Sequence, residues 1–292
     1  MSLRNRPLTP LAPRHRAAMV AAASRHPLTA FALVFVALQV LLAIGAPWLG
    51  FQDPFQQVMV QRMKAPNALN LLGTDHLGRD VLSRIVHGYR TSLLTSTAAV
   101  GLALVVGGTL GMLAAYYRGW FERITMRIMD VFFAFPILLL AIGVIAILGP
   151  GIEGAAIAIA IVYTPIFARL LRGPALVICE SEYVLGARAI GASDVRIVFH
   201  HVLPNLTSVV LVQTSLLLSA AVLVEASLSF LGLGAQPPVP SLGLALAEGR
   251  NFLLLSPWPA IFSGLAILFL SFGFNLLGDA LRDSLDPRLR AV

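Results

Sequence analysis

The sequence has one cysteine and few charged residues, and both shortages narrow the class of protein. Cys179 is the single cysteine among 292 residues, so an intrachain disulfide framework and a multi-cysteine metal site are excluded. The charged fraction is 12%, about half that of a typical soluble domain, while 58% of the residues are hydrophobic. Because one globular core cannot hold this apolar excess, the composition indicates a membrane protein.

Catalytic and nucleotide-binding motifs are also missing. The His-Glu-x-x-His pattern of metalloproteases is absent, and all six histidines lie outside the predicted spans. Adjacent His200 and His201 point apart on a helix and have no third ligand nearby, and we interpret His76, which follows Asp75, in the same way. We therefore expect no metal site. Because the phosphate-binding pattern G-x-x-x-x-G-K-[ST] is absent, we expect neither ATP hydrolysis nor a cofactor in this chain.

Six stretches are long and apolar enough to cross the hydrocarbon core, which takes about 20 residues. They are residues 28–49, 93–117, 131–149, 153–171, 206–229 and 257–278. The first follows several arginines, as in a signal peptide, but it is too long and lacks an A-x-A cleavage site, so we expect a retained span. The spacing Gly107-x-x-x-Gly111 predicts a close helix contact. Together these features predict an all-α, polytopic membrane helix bundle.

The distribution of basic residues indicates how the bundle is oriented. The net charge is +7, but the basic residues form no continuous stripe, so we expect no nucleic acid partner. Fifteen of the 21 lysines and arginines fall in segments that are cytosolic if the N-terminus is inside, and six fall outside. The predicted organisation is a cytosolic tail (1–27), a first span with an outer segment (28–92), a transmembrane domain (93–279) with a cytosolic loop (172–205), and a cytosolic tail (280–292).

Two outer connections are long enough to carry structure. The first, 50–92, ends in an amphipathic stretch from Leu77 to Tyr89 that predicts a helix lying on the membrane surface and leading into the second span. Thr74 or Asp75 is placed to cap it. The second connection, 230–256, contains three prolines and predicts an irregular loop.

Glu225 is the most deeply membrane-embedded carboxylate in the sequence. A charged group in the membrane is costly, so it has a partner or a function. We weighed three roles for Glu225: pairing with an arginine, lining a solute path, and simple exposure at the interface. We favour pairing with Arg84 or Arg90, since an arginine fork satisfies both carboxylate oxygens. No chain of proton sites supports an ion-coupled carrier.

The loop 172–205 is the longest predicted cytosolic connection. Its sequence predicts two short helices separated at Gly191, with Ser193 or Asp194 capping the second helix and Pro204 ending the loop. Two short helices joined by a glycine turn form a rigid protrusion. Since the chain lacks an energy-coupling motif, this protrusion indicates a membrane subunit that is driven by a separate motor protein.

The segment EYVLGARAIGASDVRIVFHHVLPN, from Glu182 to Asn205, resembles the EAA loop of ABC importer permeases. Gly191, Leu203 and Pro204 match the family pattern at the required spacing. The E-A-A slot holds Leu-Gly-Ala, so the acidic residue of the family is missing here and this slot offers no carboxylate for a salt bridge to the motor. The resemblance implies contact with the ATPase by Leu185, Gly186, Ala187, Arg188, Gly191, Ala192, Ser193, Asp194, Leu203 and Pro204.

Four further motifs are similar to those of the dipeptide/oligopeptide permease family, in its C-type subunit. They are LGTDHLGRD (72–80), MRIMD (126–130), EASLSFLGLG (225–234) and NLLGD (275–279). The resemblance covers about residues 26–290. Each motif alone is weak, but the four together are specific for the family.

This resemblance implies a type I ABC importer permease fold in the inner membrane, with both termini cytosolic. It implies a B-type permease, two ATP-binding subunits or a fused pair that hold ATP and magnesium, and an extracytoplasmic solute-binding protein. Dipeptides and oligopeptides are the expected solutes; glutathione, nickel complexes and antimicrobial peptides stay open. A secondary carrier and a membrane enzyme are the alternatives outside this family.

Overall fold

The computed structural model describes residues 27–285, and within this range the chain is helical apart from loops and one isolated bridge between Thr74 and Asp80. The predicted tail residues 1–26 and 286–292 lie outside the described residues. The helices are α1 (Pro27–Gly45), α2 (Val81–Ala103), α3 (Thr109–Tyr117), α4 (Gly119–Phe133), α5 (Ile137–Leu148), α6 (Ile152–Cys179), α7 (Glu182–Ala189), α8 (Asp194–Arg196), α9 (Thr207–Phe230), α10 (Leu242–Arg250) and α11 (Trp258–Leu285).

Five helical stretches in the described range are long and apolar enough to cross a membrane, and a bent pair supplies a sixth. The five are Pro27–Gly45, Val81–Tyr117, Ile152–Cys179, Asp194–Phe230 and Trp258–Leu285. The sixth consists of α4 and α5, which meet at 95°. The prediction of about six spans is confirmed when this pair is counted as one span.

The predicted surface helix and the predicted second span form one continuous helix. Val81–Tyr117 is continuous because a π-helical turn, Leu104–Gly108, joins α2 to α3. The helix is capped by Asp80, whose carboxylate accepts a hydrogen bond from the Ser83 backbone N–H at 2.8 Å, so the prediction of Thr74 or Asp75 as the cap was wrong. Polar side chains near the start of α2, among them Ser83 and Arg84, are buried. The position of this part of the helix at the membrane surface stays a prediction.

The predicted third span, 131–149, is broken in the structure. Helix α4 ends at Phe133 and α5 begins at Ile137, after Pro136, whose ring cannot continue the hydrogen-bond ladder of α4. The 12 residues of α5 extend about 18 Å, which is shorter than the hydrocarbon core of about 30 Å. Hydropathy averaged over 131–149 could not detect this bend.

Two other connections also differ from the sequence-based boundaries. Helix α6 continues to Cys179, so the loop predicted from 172 begins at residue 180. The connection 230–256 is not irregular throughout, since it contains α10. This helix packs closely against α9: a Cβ atom at Gly243 would lie 2.2 Å from the Ala226 carbonyl oxygen. Glycine at that position therefore allows α10 to pack this closely against α9.

Helix α6 contacts α3 and the π-helical turn before it through glycines. A Cβ atom at Gly107 would lie 2.2 Å from the Thr164 carbonyl oxygen, and one at Gly111 would lie 2.3 Å from that of Ala168. The close contact predicted from Gly107-x-x-x-Gly111 is confirmed. In a membrane, such contacts contribute van der Waals packing where no hydrophobic force acts between helices.

We expect Gly111→Ala to separate α3 from α6 and to destabilise the protein by roughly 1–3 kcal/mol through overpacking. Gly101→Ala is the matched control, because no atom lies within 4 Å of a Cβ atom at that helical position. Thermal unfolding in detergent, followed by loss of the monodisperse chromatographic peak, measures both variants. Equal stability of the two variants would contradict the close contact.

Candidate functional site

The loop from residue 180 to 206 contains the predicted pair of short helices and the glycine between them. Gly191 separates α7 from α8 with φ at +82°, in the left-handed region. No atom lies within 4 Å of a Cβ atom built at this position. Glycine is therefore needed here for the backbone turn, as the sequence predicted. It is not needed for a close approach within the chain.

Asp194 connects this loop to the end of α3. Its carboxylate accepts hydrogen bonds from the Tyr116 hydroxyl at 2.6 Å and from the Tyr117 hydroxyl at 3.1 Å. Ser193 occupies the N-cap position of α8, but its side chain makes no capping hydrogen bond. The carboxylate that was expected to cap a helix thus forms a tertiary contact instead.

Two further contacts support this attachment. The guanidinium of Arg188 lies over the Tyr116 ring at 4.8 Å from its centroid, and Arg118 donates a hydrogen bond to Glu180 at 2.7 Å. These groups are largely solvent-exposed, so each pair contributes about 1 kcal/mol or less. Together with Asp194 they fix the orientation of the loop relative to α3.

The inner side of the loop belongs to the hydrophobic core of the bundle. Val184, Ile197, Val198, Val202 and Leu206 are buried and pack with Met112, Ala115, Ala175 and Cys179. The contacts join the loop to both α3 and α6. A load applied to the loop therefore reaches two membrane-spanning helices through a packed interior, and such interiors have low compressibility.

The outer side of the loop exposes apolar side chains. Ile190 is 87% exposed, and Leu185, Val195 and Phe199 are exposed as well. Clustered apolar side chains in a surface-exposed loop are typical of a protein–protein contact. Among the other residues of the predicted set, Gly186 and Arg188 are also exposed, while Ala187, Ala192, Leu203 and Pro204 are half-buried. The sequence did not single out Ile190, Val195 and Phe199, nor the two tyrosines.

A second polar site lies at the N-terminal end of the continuous α2–α3 helix, opposite the end that contacts the loop. We call Asp75, Arg79, Arg84 and Glu248 the ion-pair cluster. Arg79 Nε lies 2.6 Å from Asp75 Oδ2, and Arg79 Nη2 lies 2.7 Å from Glu248 Oε2. Arg84 Nη1 lies 3.0 Å from Asp75 Oδ2, and its Nη2 lies 3.1 Å from Glu248 Oε2 without hydrogen-bond alignment. The cluster connects the outer segment to α2 and α10.

Burial raises the pKa of Glu248 above its usual range, and the charge of Arg79 opposes that rise. Donor atoms of Asp75, His76 and Glu248 lie within 4.8 Å of one another, a spacing that could suit a metal ion. Two guanidinium groups already contact these carboxylates, so a cation would be repelled. The geometry favours ion pairing over metal binding.

The structure places Glu225 away from both predicted arginine partners. Glu225 is 1% exposed, and its Oε1 atom accepts hydrogen bonds from Ser229 at 2.8 Å and Ser241 at 3.4 Å. Arg84 belongs to the ion-pair cluster, and Arg90 is exposed. The predicted arginine pairing was wrong, because Arg84 faces Asp75 and Glu248 instead, and serine hydroxyls take the place of a guanidinium at Glu225.

Comparisons with known proteins agree with this geometry. Residues 107–291 match the family described as "Binding-protein-dependent transport system inner membrane component". The dipeptide transport system permease protein DppC of Alkalihalophilus pseudofirmus is 43% identical over 259 residues, which cover 89% of this chain and 85% of that protein. The glutathione transport system permease protein GsiD of Pectobacterium atrosepticum is 46% identical over 259 residues, covering 88% and 86%.

The fold is similar to that of a solved transporter. A chain from the inward-facing MetNI methionine ABC transporter superposes with a TM-score of 0.57 at 18% identity, covering 70% of this chain and 97% of that chain. This likeness shows the fold alone. The predicted class, an all-α type I ABC importer permease fold, is confirmed.

We expect Arg84→Gln to destabilise the protein by roughly 3–5 kcal/mol, because it leaves the buried carboxylate of Asp75 with one cationic partner in place of two. Arg90→Gln is the control on the same helix: Arg90 is exposed, and its substitution should change stability by about 0.5 kcal/mol or less. Thermal unfolding in detergent measures both. A control as destabilised as Arg84→Gln would contradict the assigned ion pairs.

Proposed function

Since this chain belongs to the family of binding-protein-dependent transport system inner membrane components, we propose that it is the C-type permease subunit of an ATP-driven peptide importer. The observation that carries the proposal is the 180–206 loop, which combines a packed inner side with an exposed apolar outer side. Such a loop can bind a second protein and remain fixed to the spans. The curated relatives named above, DppC and GsiD, are transport permeases.

The proposed partners follow from what the chain lacks. ATP and magnesium would bind to two separate ATP-binding subunits or a fused pair, because this chain has no phosphate-binding loop. The outer side of the loop, with Leu185, Ile190 and Val195 exposed, would insert into a groove of such a subunit. A B-type permease would complete the solute path, and an extracytoplasmic binding protein would deliver the solute.

Short peptides are the proposed solute class. DppC is named for dipeptides and GsiD for glutathione, which is itself a small peptide, and this chain has similar identity to both. Glutathione import is therefore the second candidate. Binding assays of dipeptides and glutathione with the cognate binding protein would distinguish the two.

We expect the 180–206 loop and both chain termini to be cytosolic. Glu182→Cys and Gln236→Cys, each in a Cys179→Ser background, place one thiol in this loop and one in the connection that contains α10, and both positions are exposed. An impermeant thiol reagent added to intact cells that have a permeable outer envelope should label only the Gln236→Cys variant. Labelling of Glu182→Cys under these conditions would reverse the proposed orientation.

We expect Gly191→Val to abolish ATP-dependent uptake while leaving membrane insertion unchanged. Valine is strained at a φ of +82°, so the turn between α7 and α8 would change and the exposed face of the loop would be displaced. Gly101→Val is the control, because Gly101 is in a helical conformation, has no atom within 4 Å of a Cβ atom and is not followed by a proline. Uptake and ATPase activity are measured at matched expression.

Wild-type uptake by the Gly191→Val variant would remove this loop from the mechanism. Uptake by the purified wild-type chain alone, driven by an ion gradient without ATP, would instead favour a secondary carrier. The two results are separable, since the first concerns coupling and the second concerns the energy source.

A further inference from the structure

Helix α4 exposes two unlike flanks. It meets α5 at 95°, so both helices cannot follow the membrane normal. One flank is apolar: Trp120, Ile124, Ile128 and Val131 recur at helical spacing and are exposed, with Trp120 at 74%. The neighbouring flank carries arginines. A helix with an aromatic and aliphatic flank beside basic residues is typical of a membrane interface.

The second flank borders an open groove with a surplus of positive charge. The groove is lined by four arginines and two acids, Arg123, Arg127, Arg169, Arg172, Glu122 and Asp130. The two arginines from α6 pair with the two acids: Arg172 Nε lies 2.6 Å from Glu122 Oε1, and Arg169 contacts Asp130. The two arginines from α4 are exposed and form no ion pair within residues 27–285. Two positive charges are therefore uncompensated.

The position of the groove along α6 places it at a membrane boundary. Arg169 and Arg172 follow Ile152, the first residue of α6, by 17 and 20 residues, or about 26 and 30 Å along the helix. The hydrocarbon core is about 30 Å thick. With Ile152 at one boundary, the groove lies at the other, on the side that carries the 180–206 loop.

We propose that this groove binds the phosphate headgroup of an anionic phospholipid from the leaflet on the side of the 180–206 loop. The guanidinium groups of Arg123 and Arg127 would donate hydrogen bonds to the phosphate oxygens, a geometry for which arginine is well suited. The acyl chains would lie against the apolar flank beside Trp120. If the proposed orientation is correct, this leaflet is the cytosolic one, whose anionic lipids attract basic segments near the surface.

Two other occupants fit parts of the same groove but not all of it. An acidic solute would use the arginines and leave the exposed apolar flank without a partner. A second permease could cover the apolar flank, but it would need acidic groups placed opposite Arg123 and Arg127. A phospholipid supplies both the charge and the apolar chains. These two occupants are therefore outcomes of the test.

The test uses Trp120 as the reporter. The sequence has three tryptophans, so Trp48→Phe with Trp258→Phe leaves Trp120 alone in the full-length chain. The chain is reconstituted in phosphatidylcholine vesicles that contain a small fraction of either dibrominated phosphatidylglycerol or dibrominated phosphatidylcholine. Two free arginines should enrich phosphatidylglycerol locally by about fivefold each, so it should quench Trp120 more strongly.

Charge-matched variants distinguish lipid binding in the groove from a general attraction of anionic lipid to a basic protein. Arg123→Gln with Arg127→Gln should abolish the lipid preference, whereas Arg90→Gln with Arg196→Gln, which removes equal charge elsewhere, should retain it. Native mass spectrometry of the assembled complex should show retained phosphatidylglycerol that the groove variant loses.

Equal quenching by both brominated lipids, or a preference that survives Arg123→Gln with Arg127→Gln, would overturn the proposal. Loss of the preference on addition of an acidic dipeptide would assign the groove to solute. An assembled complex without phosphatidylglycerol would show that a partner subunit covers the groove, which also contradicts the proposal.

Discussion

The hydrocarbon core of a membrane offers no hydrogen-bond partner to a backbone N–H or C=O group, and the rest of this structure follows from that constraint. Within residues 27–285 every long apolar segment is a helix, and irregular backbone is concentrated in the connections between them. Pro136 breaks the backbone hydrogen-bond ladder between α4 and α5, and the two helices meet at 95°. In the arrangement we propose, α4 turns away from the membrane normal, so its charged residues lie at the membrane boundary, where water and headgroups can solvate them.

The same constraint leaves few ways to transmit motion into the spans. A membrane-spanning helix moves as a rigid body, and its ends are the parts that a protein outside the membrane can contact. A driving force is therefore applied at a helix end. In the proposed function the 180–206 loop is this point, since its buried side shares a core with α3 and α6 and since Asp194 attaches it to the tyrosines at the end of α3. At the other end of the continuous α2–α3 helix, the ion-pair cluster connects α2 to α10 and to the segment that precedes α2. The long α2–α3 helix is thus held at both ends.

The sequence was a good guide to features that depend on local pattern. Hydropathy located the spans, the Gly107-x-x-x-Gly111 spacing predicted the contact with α6, and the break at Gly191 predicted a turn whose φ is +82°. Each of these depends on residues close together in the chain. Helix α10 was missed because the three prolines that precede it in the 230–256 connection indicated an irregular loop.

Features that depend on distant contacts could not be read in the same way. Asp194 lies 78 residues from Tyr116, and Glu248 lies 169 residues from Arg79, so no periodicity relates them. Glu225 shows the consequence. The expectation that a membrane carboxylate has a partner was sound, but the partners are serines 4 and 16 residues further along the chain. Of the two arginines predicted as partners, Arg84 pairs with Asp75 and Glu248, and Arg90 is exposed.

The 180–206 loop shares one packed core with the ends of α3 and α6, so we expect these three parts to move as one body when the proposed ATP-binding subunits close. Electron spin resonance distances test this expectation directly, with spin labels on Arg196→Cys in the loop and Val177→Cys on α6, two exposed positions, in the Cys179→Ser background. The complex is measured without nucleotide and with ATP trapped, and a third label on the proposed partner permease reports that the transporter has switched. We predict the same narrow distance between the first two labels in both states while the distance to the third label changes. A loop-to-α6 distance that broadens or shifts with ATP would contradict the expectation.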